Sequence, residues 1–110
     1  MKIKCNKNGD GSQIGIEGEL SIYHVAEAKE QLLALVEQAQ QLDFDLSRVS
    51  EVDSAGLQLL ILLKREASER GNEMRIVGHS QPLVDLIQLF DLAAYFGDPV
   101  LLTEEAEETT

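Results

Sequence analysis

The residues best placed to do chemistry in this chain are Asp53 and Ser54, which stand between two contrasting patterns. Residues 42–47 alternate between apolar and polar side chains, and residues 57–63 are apolar apart from Gln58. We therefore expect Ser54 to lie where a strand ends and a helix begins. A hydroxyl at a helix N-terminus lies beside free backbone N–H groups, where negative charge is favoured. Such a serine is suited to capping the helix, as is Asp53 before it, or to carrying a phosphate.

A phosphate on Ser54 would act on a partner rather than on the fold. It adds about −1.5 to −2 charges, and at a helix N-terminus such charge is tolerated or favoured by about 0.3–1 kcal/mol. Glu51 and Asp53 already make the neighbourhood negative, and like charges brought together at an interface are strongly unfavourable. We therefore predict a switch that changes binding and leaves folding unchanged.

The helix after Ser54 is predicted to supply the partner surface. Gly56 in its first turn lowers helix propensity by about 1 kcal/mol relative to Ala, which indicates the close approach of another backbone or of a partner. The apolar residues from Leu57 to Leu63 surround the helix, as in a deeply buried helix or one with an apolar patch. Full burial is hard in so small a domain, so we predict an interface on the N-terminal half of this helix.

No other constellation in the sequence predicts catalysis or a cofactor. His24 and His79 have no further ligand at metal-binding spacing. Asp43 and Asp45 share one face of a predicted strand and could bind a cation, but the solvated face of an alternating strand produces the same pair. The sequence has no Walker-type phosphate loop and no catalytic triad. We expect a protein that is not an enzyme and that binds no metal or cofactor.

The composition predicts a small acidic protein that binds other proteins. With 110 residues, the chain is long enough for one domain. Its formal net charge of −11 would repel nucleic acids and anionic lipid surfaces, and it favours basic or neutral protein partners. The single cysteine, the polar start and the lack of a long apolar run indicate a cytoplasmic protein without a signal peptide or membrane span.

The elements that must position Ser54 are predicted from periodicity and from cap and turn residues. In chain order, these are a hairpin at about 3–17, a helix at 22–41, a strand at 42–47, a helix at 54–70, a strand at 74–77 and a helix at 80–90. Ser21 is predicted to cap the first helix, Gly71 to stop the second, and Ser80 with Pro82 to start the third.

This order, ββαβαβα, predicts an α/β fold of the α+β-like kind. We expect a mixed β-sheet of four to five strands with the helices packed mainly on one face, because alternating strands are typical of a sheet with one solvated face. A short helical turn at 92–96 and an edge strand at 99–102 complete the predicted domain, which spans residues 1–102. Residues 103–110 are predicted to form a disordered acidic tail.

Three segments resemble the STAS domain family, the anti-sigma factor antagonists. They are Asp-Leu-Ser-Arg-Val at 45–49, Val-Asp-Ser-Ala-Gly-Leu at 52–57 and Gly-Glu-Leu at 18–20. The element order agrees with that family over about residues 1–102. Ser21 stands where many members have Asp, and Ala55 where many have a second Ser.

The resemblance implies a partner-switching role for the region around Ser54. A partner serine kinase that is also the anti-sigma factor would phosphorylate Ser54, the unphosphorylated form would bind this partner, and a phosphatase would reset the cycle. The predicted partner-binding residues are Ser21, Asp53, Ser54, Ala55, Gly56, Leu57, Gln58 and Ile61.

Two other functions stay open at the level of sequence. Relatives of the family also serve in chemotaxis clusters and as subunits of lipid-transport assemblies, so the chain could be an unphosphorylated scaffold subunit. An acyl carrier protein with its prosthetic group on Ser54 is a third alternative, although its all-helical bundle does not suit the alternating strands. The apolar second helix also leaves a homodimer open.

Overall fold

The computed structural model describes residues 1–9 and 11–92. Its element order is ββαβαβα, as the sequence predicts. In chain order, the elements are β1 (Lys2–Asn8), β2 (Gly11–Leu20), α1 (Val25–Gln38), β3 (Gln41–Val52), α2 (Ser54–Glu69), β4 (Glu73–His79) and α3 (Gln81–Leu89). The predicted turn at 92–96, apart from Leu92, the edge strand at 99–102 and the acidic tail at 103–110 lie outside the described residues.

Within the described residues, the four strands form one mixed sheet in the order β1-β2-β3-β4. β1 and β2 form the predicted antiparallel hairpin, whereas β2, β3 and β4 run parallel. Each parallel neighbour is reached through a helix. Because such crossovers are almost always right-handed, α1 and α2 lie on the same face of the sheet.

The burial pattern confirms that the helices cover one face. In β3 the alternate residues Leu42, Phe44 and Leu46 are fully buried, while Asp43 and Asp45 between them are partly exposed. α3 packs against β3 through the buried Leu83 and Ile87. The hydrophobic core therefore lies between the sheet and the three helices, and the other sheet face is polar.

The first helix begins later and ends earlier than predicted. The carbonyl oxygen of Ser21 accepts hydrogen bonds from the backbone N–H groups of His24 and Val25, at 2.9 and 3.0 Å. These bonds form a turn, so α1 starts at Val25 and Ser21 is not its cap. The helix ends at Gln38 because Ala39 adopts an extended backbone, with φ −127° and ψ 140°.

The boundaries around α2 and α3 match the predictions closely. α2 begins at Ser54 as predicted, whereas β3 ends at Val52, five residues beyond the predicted strand at 42–47. Gly71 follows α2 with φ of 72°, a left-handed conformation that glycine adopts without strain. Ser80 is the N-cap residue of α3, with a proline in its first turn. The sheet contradicts the carrier-protein alternative, because an acyl carrier protein is an all-helical bundle.

Candidate functional site

Asp53, not Ser54, caps helix α2. Its backbone is extended, with φ −111° and ψ −176°, as is usual for an N-cap residue. Its Oδ1 accepts a hydrogen bond from the backbone N–H of Gly56 at 2.9 Å. Its Oδ2 accepts another from the backbone N–H of Ile22 at 3.0 Å. One carboxylate therefore joins the start of α2 to the turn that follows β2.

These two hydrogen bonds also set the charge state of Asp53. The N–H of Ile22, followed in strength by that of Gly56, holds the pKa of the Asp53 carboxyl below its ordinary value. The carboxylate is therefore ionised at neutral pH, and it places a negative charge at the N-terminus of α2, where the helix dipole favours one.

Gly56 is needed because α2 lies directly on the end of β2. A Cβ atom at this position would lie 2.1 Å from the carbonyl oxygen of Leu20 and 3.0 Å from Cγ2 of Val52. The sequence left open whether a backbone or a partner approaches this glycine. The approaching group is the backbone of the chain itself, at Leu20.

Ser54 is the first residue of α2, and it is exposed. The cap hydrogen bond to the helix is made by the carboxylate of Asp53, so the fold does not depend on the Ser54 hydroxyl for capping. A hydroxyl in this position is accessible to a modifying enzyme.

The apolar helix α2 is mostly core, which contradicts the expectation that full burial would be hard. Leu57 and Leu59 are each 3% exposed, and Leu60 and Leu63 are fully buried. Most of its apolar residues are buried because α2 packs on the sheet and also contacts α1 and α3, while Ile61 and Leu62 are partly buried. Gly56 and Leu57, two of the predicted partner-binding residues, therefore belong to the core.

A smaller set of the predicted residues remains accessible at this end of α2. Ser54 and Gln58 are exposed, and Asp53, Ala55 and Ile61 are partly buried. The accessible surface is thus the first two turns of the helix, on the side that faces away from the core.

Ser21 has a different place from the one predicted. It is 4% exposed, and its Oγ accepts a hydrogen bond from the backbone N–H of Tyr23 at 3.3 Å. Together with the bonds to its carbonyl oxygen, this contact shapes the turn between β2 and α1. Ser21 is therefore not part of the accessible surface itself, but its hydrogen bonds position the turn residues that follow it.

Those residues, Ile22 and Tyr23, were missed by the sequence reasoning. Their exposed fractions are 65% and 83%, although the periodicity placed Ile22 on the buried stripe of a helix. The residues form a turn instead, so the helical periodicity does not apply to them. Two bulky apolar residues directly after the Gly-Glu-Leu-Ser segment are the sequence signal that could have pointed to them.

The strand ends beside this surface are acidic. Glu19 and Glu51 are register partners on the neighbouring strands β2 and β3. His24 Nε2 lies 4.0 Å from a carboxylate oxygen of Glu19. With Asp53, these groups give the region a negative field.

Asp43 and Asp45, the acidic pair on β3, both have hydrogen-bond partners within the sheet. Asp43 forms two hydrogen bonds to the guanidinium of Arg75, at 3.1 and 3.2 Å. Asp45 accepts hydrogen bonds from the hydroxyl of Ser47 at 2.6 Å and from its backbone N–H at 3.0 Å.

In the part of the chain that the structure describes, no cluster of three or more His, Cys, Asp or Glu side chains could hold a metal ion. None of the described helices is long and apolar enough to span a membrane.

Comparison with known proteins identifies the family. A family model described as "Mlab, STAS domain" matches residues 3–103. The chain belongs to the STAS domain family.

Two curated relatives of this STAS domain have different functions. The chain is 28% identical over 92 residues to the anti-sigma-B factor antagonist of Bacillus subtilis, covering 84% of this chain and 82% of the relative. It is 42% identical over 50 residues to MlaB, the intermembrane phospholipid transport system binding protein of Escherichia coli. The second match spans 46% of this chain and about half, 52%, of MlaB.

Solved structures share the fold of this STAS domain. An anti-sigma factor antagonist from Mycobacterium paratuberculosis superposes with a TM-score of 0.79 at 20% identity, covering 96% of this chain and 93% of that one. The antagonist SpoIIAA in its unphosphorylated form gives a TM-score of 0.72 at 16% identity, covering 86% and 84%. At these identities the likeness shows the fold alone, and it confirms the predicted α/β architecture.

Proposed function

We propose that this STAS domain is a non-catalytic signalling module that binds a serine kinase or anti-sigma-type protein and is switched by phosphorylation of Ser54. The unphosphorylated form binds the partner, the phosphorylated form releases it, and a phosphatase restores the first state. The observation that carries the proposal is that Ser54 is exposed while Asp53 caps α2. A phosphate can therefore be added without breaking a cap hydrogen bond.

The direction of the switch follows from the surroundings of Ser54. A phosphate in an interface that includes Ala55 and Ile61, both partly buried, has to lose part of its hydration shell. It also adds negative charge beside Asp53 and Glu51. Water no longer screens these like charges within the contact, so they repel more strongly there than in the free domain. Both effects therefore disfavour the complex, and about 1.4 kcal/mol corresponds to a tenfold loss of affinity.

The relatives support an antagonist role over most of the chain. The match to the anti-sigma-B factor antagonist covers 84% of the sequence, which includes most of the site. If this domain is an anti-sigma factor antagonist too, its partner controls a sigma factor. The protein then acts in transcription regulation in the cytoplasm.

Variants of Ser54 test this function. The purified serine kinases and anti-sigma-type proteins encoded in the same genome serve as probes, and their affinities are measured by isothermal titration calorimetry. We expect Ser54→Ala to bind like the wild type and Ser54→Asp to bind at least tenfold more weakly. Incubation with the bound kinase and ATP should add one phosphate to the wild type and none to Ser54→Ala, as seen by intact mass.

The matched control places the same substitution at the other end of α2. Ser68→Asp changes an exposed serine of that helix and should leave binding unchanged. The thermal unfolding midpoint of Ser54→Asp should equal that of the wild type, because an exposed residue is replaced at a site where the dipole favours negative charge. Equal binding by Ser54→Ala and Ser54→Asp would contradict the switch.

A second candidate function is that of an unphosphorylated scaffold subunit in a lipid-transport or chemotaxis-associated complex. The 42% identity to MlaB over 50 residues favours it, as does the description of the family model. It predicts copurification with an ATPase subunit of a transporter, no phosphate on Ser54 in cells, and the same copurification for Ser54→Asp.

A further inference from the structure

The turn between β2 and α1 carries two adjacent exposed apolar side chains beside the proposed switch. Isolated exposed apolar residues are ordinary on protein surfaces, but Ile22 and Tyr23 are neighbours, at 65% and 83% exposure. Leu89 and Phe90 form a second exposed pair at the end of α3, but only the pair at Ile22 is hydrogen-bonded to the cap residue next to Ser54. We propose that Tyr23, with Ile22 beside it, is the apolar anchor of the partner interface and inserts into an apolar pocket on a basic protein surface. This inference rests on the proposed function and names the chemistry of its partner.

The turn is ordered before any partner arrives. The backbone N–H of Tyr23 donates to Ser21 Oγ at 3.3 Å, and those of His24 and Val25 donate to the Ser21 carbonyl oxygen. A segment that is already ordered loses less entropy on binding. Tyrosine has only two side-chain torsions to restrict, and it is enriched among the residues that dominate binding energy.

The anchor and the phosphate acceptor belong to one surface. Asp53 Oδ2 accepts from the N–H of Ile22 at 3.0 Å, and its Oδ1 accepts from the N–H of Gly56, in the first turn of α2, at 2.9 Å. The turn and the helix start are thus held by the same carboxylate. A partner that covers Ser54 therefore extends onto the turn.

The charge of the chain indicates a basic partner. The formal net charge is −11, and Glu19 and Glu51 are register partners at the ends of β2 and β3, so two acidic residues lie at the end of the sheet beside the turn. A basic surface attracts such a chain at long range and sets the association rate, whereas the apolar anchor sets the dissociation rate. A phosphate on Ser54 leaves the chain strongly acidic, so the long-range attraction to a basic surface persists, but the phosphate has to lose water beside Asp53 within the contact.

Photo-crosslinking followed by kinetics tests the anchor. p-Benzoylphenylalanine is placed at position 23, at position 58 in the exposed part of α2, and at position 77 as a control. Val77 is 48% exposed on β4. We expect positions 23 and 58 to capture the same basic protein in living cells and position 77 not to capture it.

The captured protein is then purified, and its binding is measured by surface plasmon resonance. Tyr23→Ala should weaken binding about 10- to 100-fold, mainly through faster dissociation, while Tyr23→Phe should bind within about threefold of the wild type because it keeps the apolar ring. The control Leu89→Ala removes a side chain that is 75% exposed elsewhere and should change nothing. The wild-type association rate should fall at least about tenfold between about 50 mM and about 500 mM NaCl.

Several outcomes would overturn the anchor. These are capture from position 58 but not from 23, capture of a second copy of this chain from position 23, wild-type affinity of Tyr23→Ala, and an association rate that does not depend on salt. If Tyr23→Ala loses affinity while Ser54→Asp binds like the wild type, the anchor stands and the proposed switch fails. If neither position captures a protein, both proposals fail.

Discussion

Asp53 and Ser54 are adjacent in the chain, but the fold uses them differently. The carboxylate of Asp53 accepts the N–H groups of Gly56 and Ile22, so its removal disturbs two elements. Ser54 is exposed at the first position of α2. At the scale of single residues, stability therefore depends on Asp53, and the proposed regulation depends on Ser54.

The contribution of Asp53 to the stability of the fold is predicted to vary with pH. The folded pKa of Asp53 is lowered, first by the N–H of Ile22. A group of this kind stabilises the fold above its unfolded pKa of about 3.9, and this stabilisation is lost as the pH falls through the folded pKa. Asp53→Asn keeps the shape but replaces one acceptor oxygen with an amide donor. Because Asn caps a helix about as well as Asp, the loss is that of the hydrogen bond from Ile22, and we expect the variant to be less stable than the wild type by about 1 kcal/mol near neutral pH.

Urea unfolding at several pH values measures this difference. The gap between Asp53→Asn and the wild type should close as the pH falls below about 4. Glu51→Gln removes one formal charge but neither hydrogen bond, and its stability should stay within about 0.5 kcal/mol of the wild type at neutral pH. A gap that persisted at low pH would show that the ionised carboxylate is not the source of the stability.

At the scale of elements, the site exists because α2 starts directly on the end of β2. The register between β2 and β3 shifts twice, in the middle of β2 between Gly15 and Glu17 and close to its end between Gly18 and Glu19. The backbone N–H of Asp53 lies 3.4 Å from the carbonyl oxygen of Leu20, so the strand end and the cap of α2 are in direct contact. Gly56 makes this approach sterically allowed.

Gly56→Ala is predicted to destabilise the fold although alanine favours helices. The gain in helix propensity is about 1 kcal/mol, but the new Cβ would lie 2.1 Å from the Leu20 carbonyl oxygen, a backbone atom that cannot rotate away. We expect a net loss of about 1–3 kcal/mol, measured by urea unfolding.

The matched control for this variant is Gly15→Ala. A Cβ at Gly15, within β2, would meet nothing within 4 Å, so this variant should be as stable as the wild type or more stable by about 0.5–1 kcal/mol. If Gly56→Ala proved at least as stable as the wild type, this result would contradict the close contact between Gly56 of α2 and the Leu20 carbonyl oxygen of β2.

At the scale of the whole molecule, the excess of acidic residues opposes compaction. The chain has 20 acidic residues and nine basic ones, and net charge far from zero destabilises the compact state. Surface pairs such as Lys4 with Glu17, at 2.8 Å, offset the repulsion only weakly because the lysine end is largely exposed to solvent.

Stability is therefore predicted to rise with salt. Raising NaCl from about 20 mM to about 500 mM shortens the Debye length from about 20 Å to about 4 Å and screens the repulsion. We expect a higher thermal unfolding midpoint, followed by circular dichroism. A lower midpoint at high salt would mean that the ion pairs outweigh the repulsion.

Much of this fold follows from local patterns in the sequence. The alternation at 42–47 predicts β3, and the change of pattern at Asp53 and Ser54 predicts the strand–helix junction, because periodicity and capping depend on residues that are close in the chain. β3 runs on to Val52, beyond the alternating segment, since pairing with β2 extends it past the point where the pattern ends.

The sequence by itself determined the order of the elements, the solvated sheet face and the strand–helix junction at Ser54. Only the tertiary structure decided that Asp53 is the cap, that Gly56 meets a backbone, that α2 is core, and that Tyr23 is exposed. Each of these depends on contacts between distant segments: Ile22 and Asp53, which share a hydrogen bond, are 31 positions apart. Local periodicity carries no information about such contacts, because they form only when the strands have paired and the helices have packed.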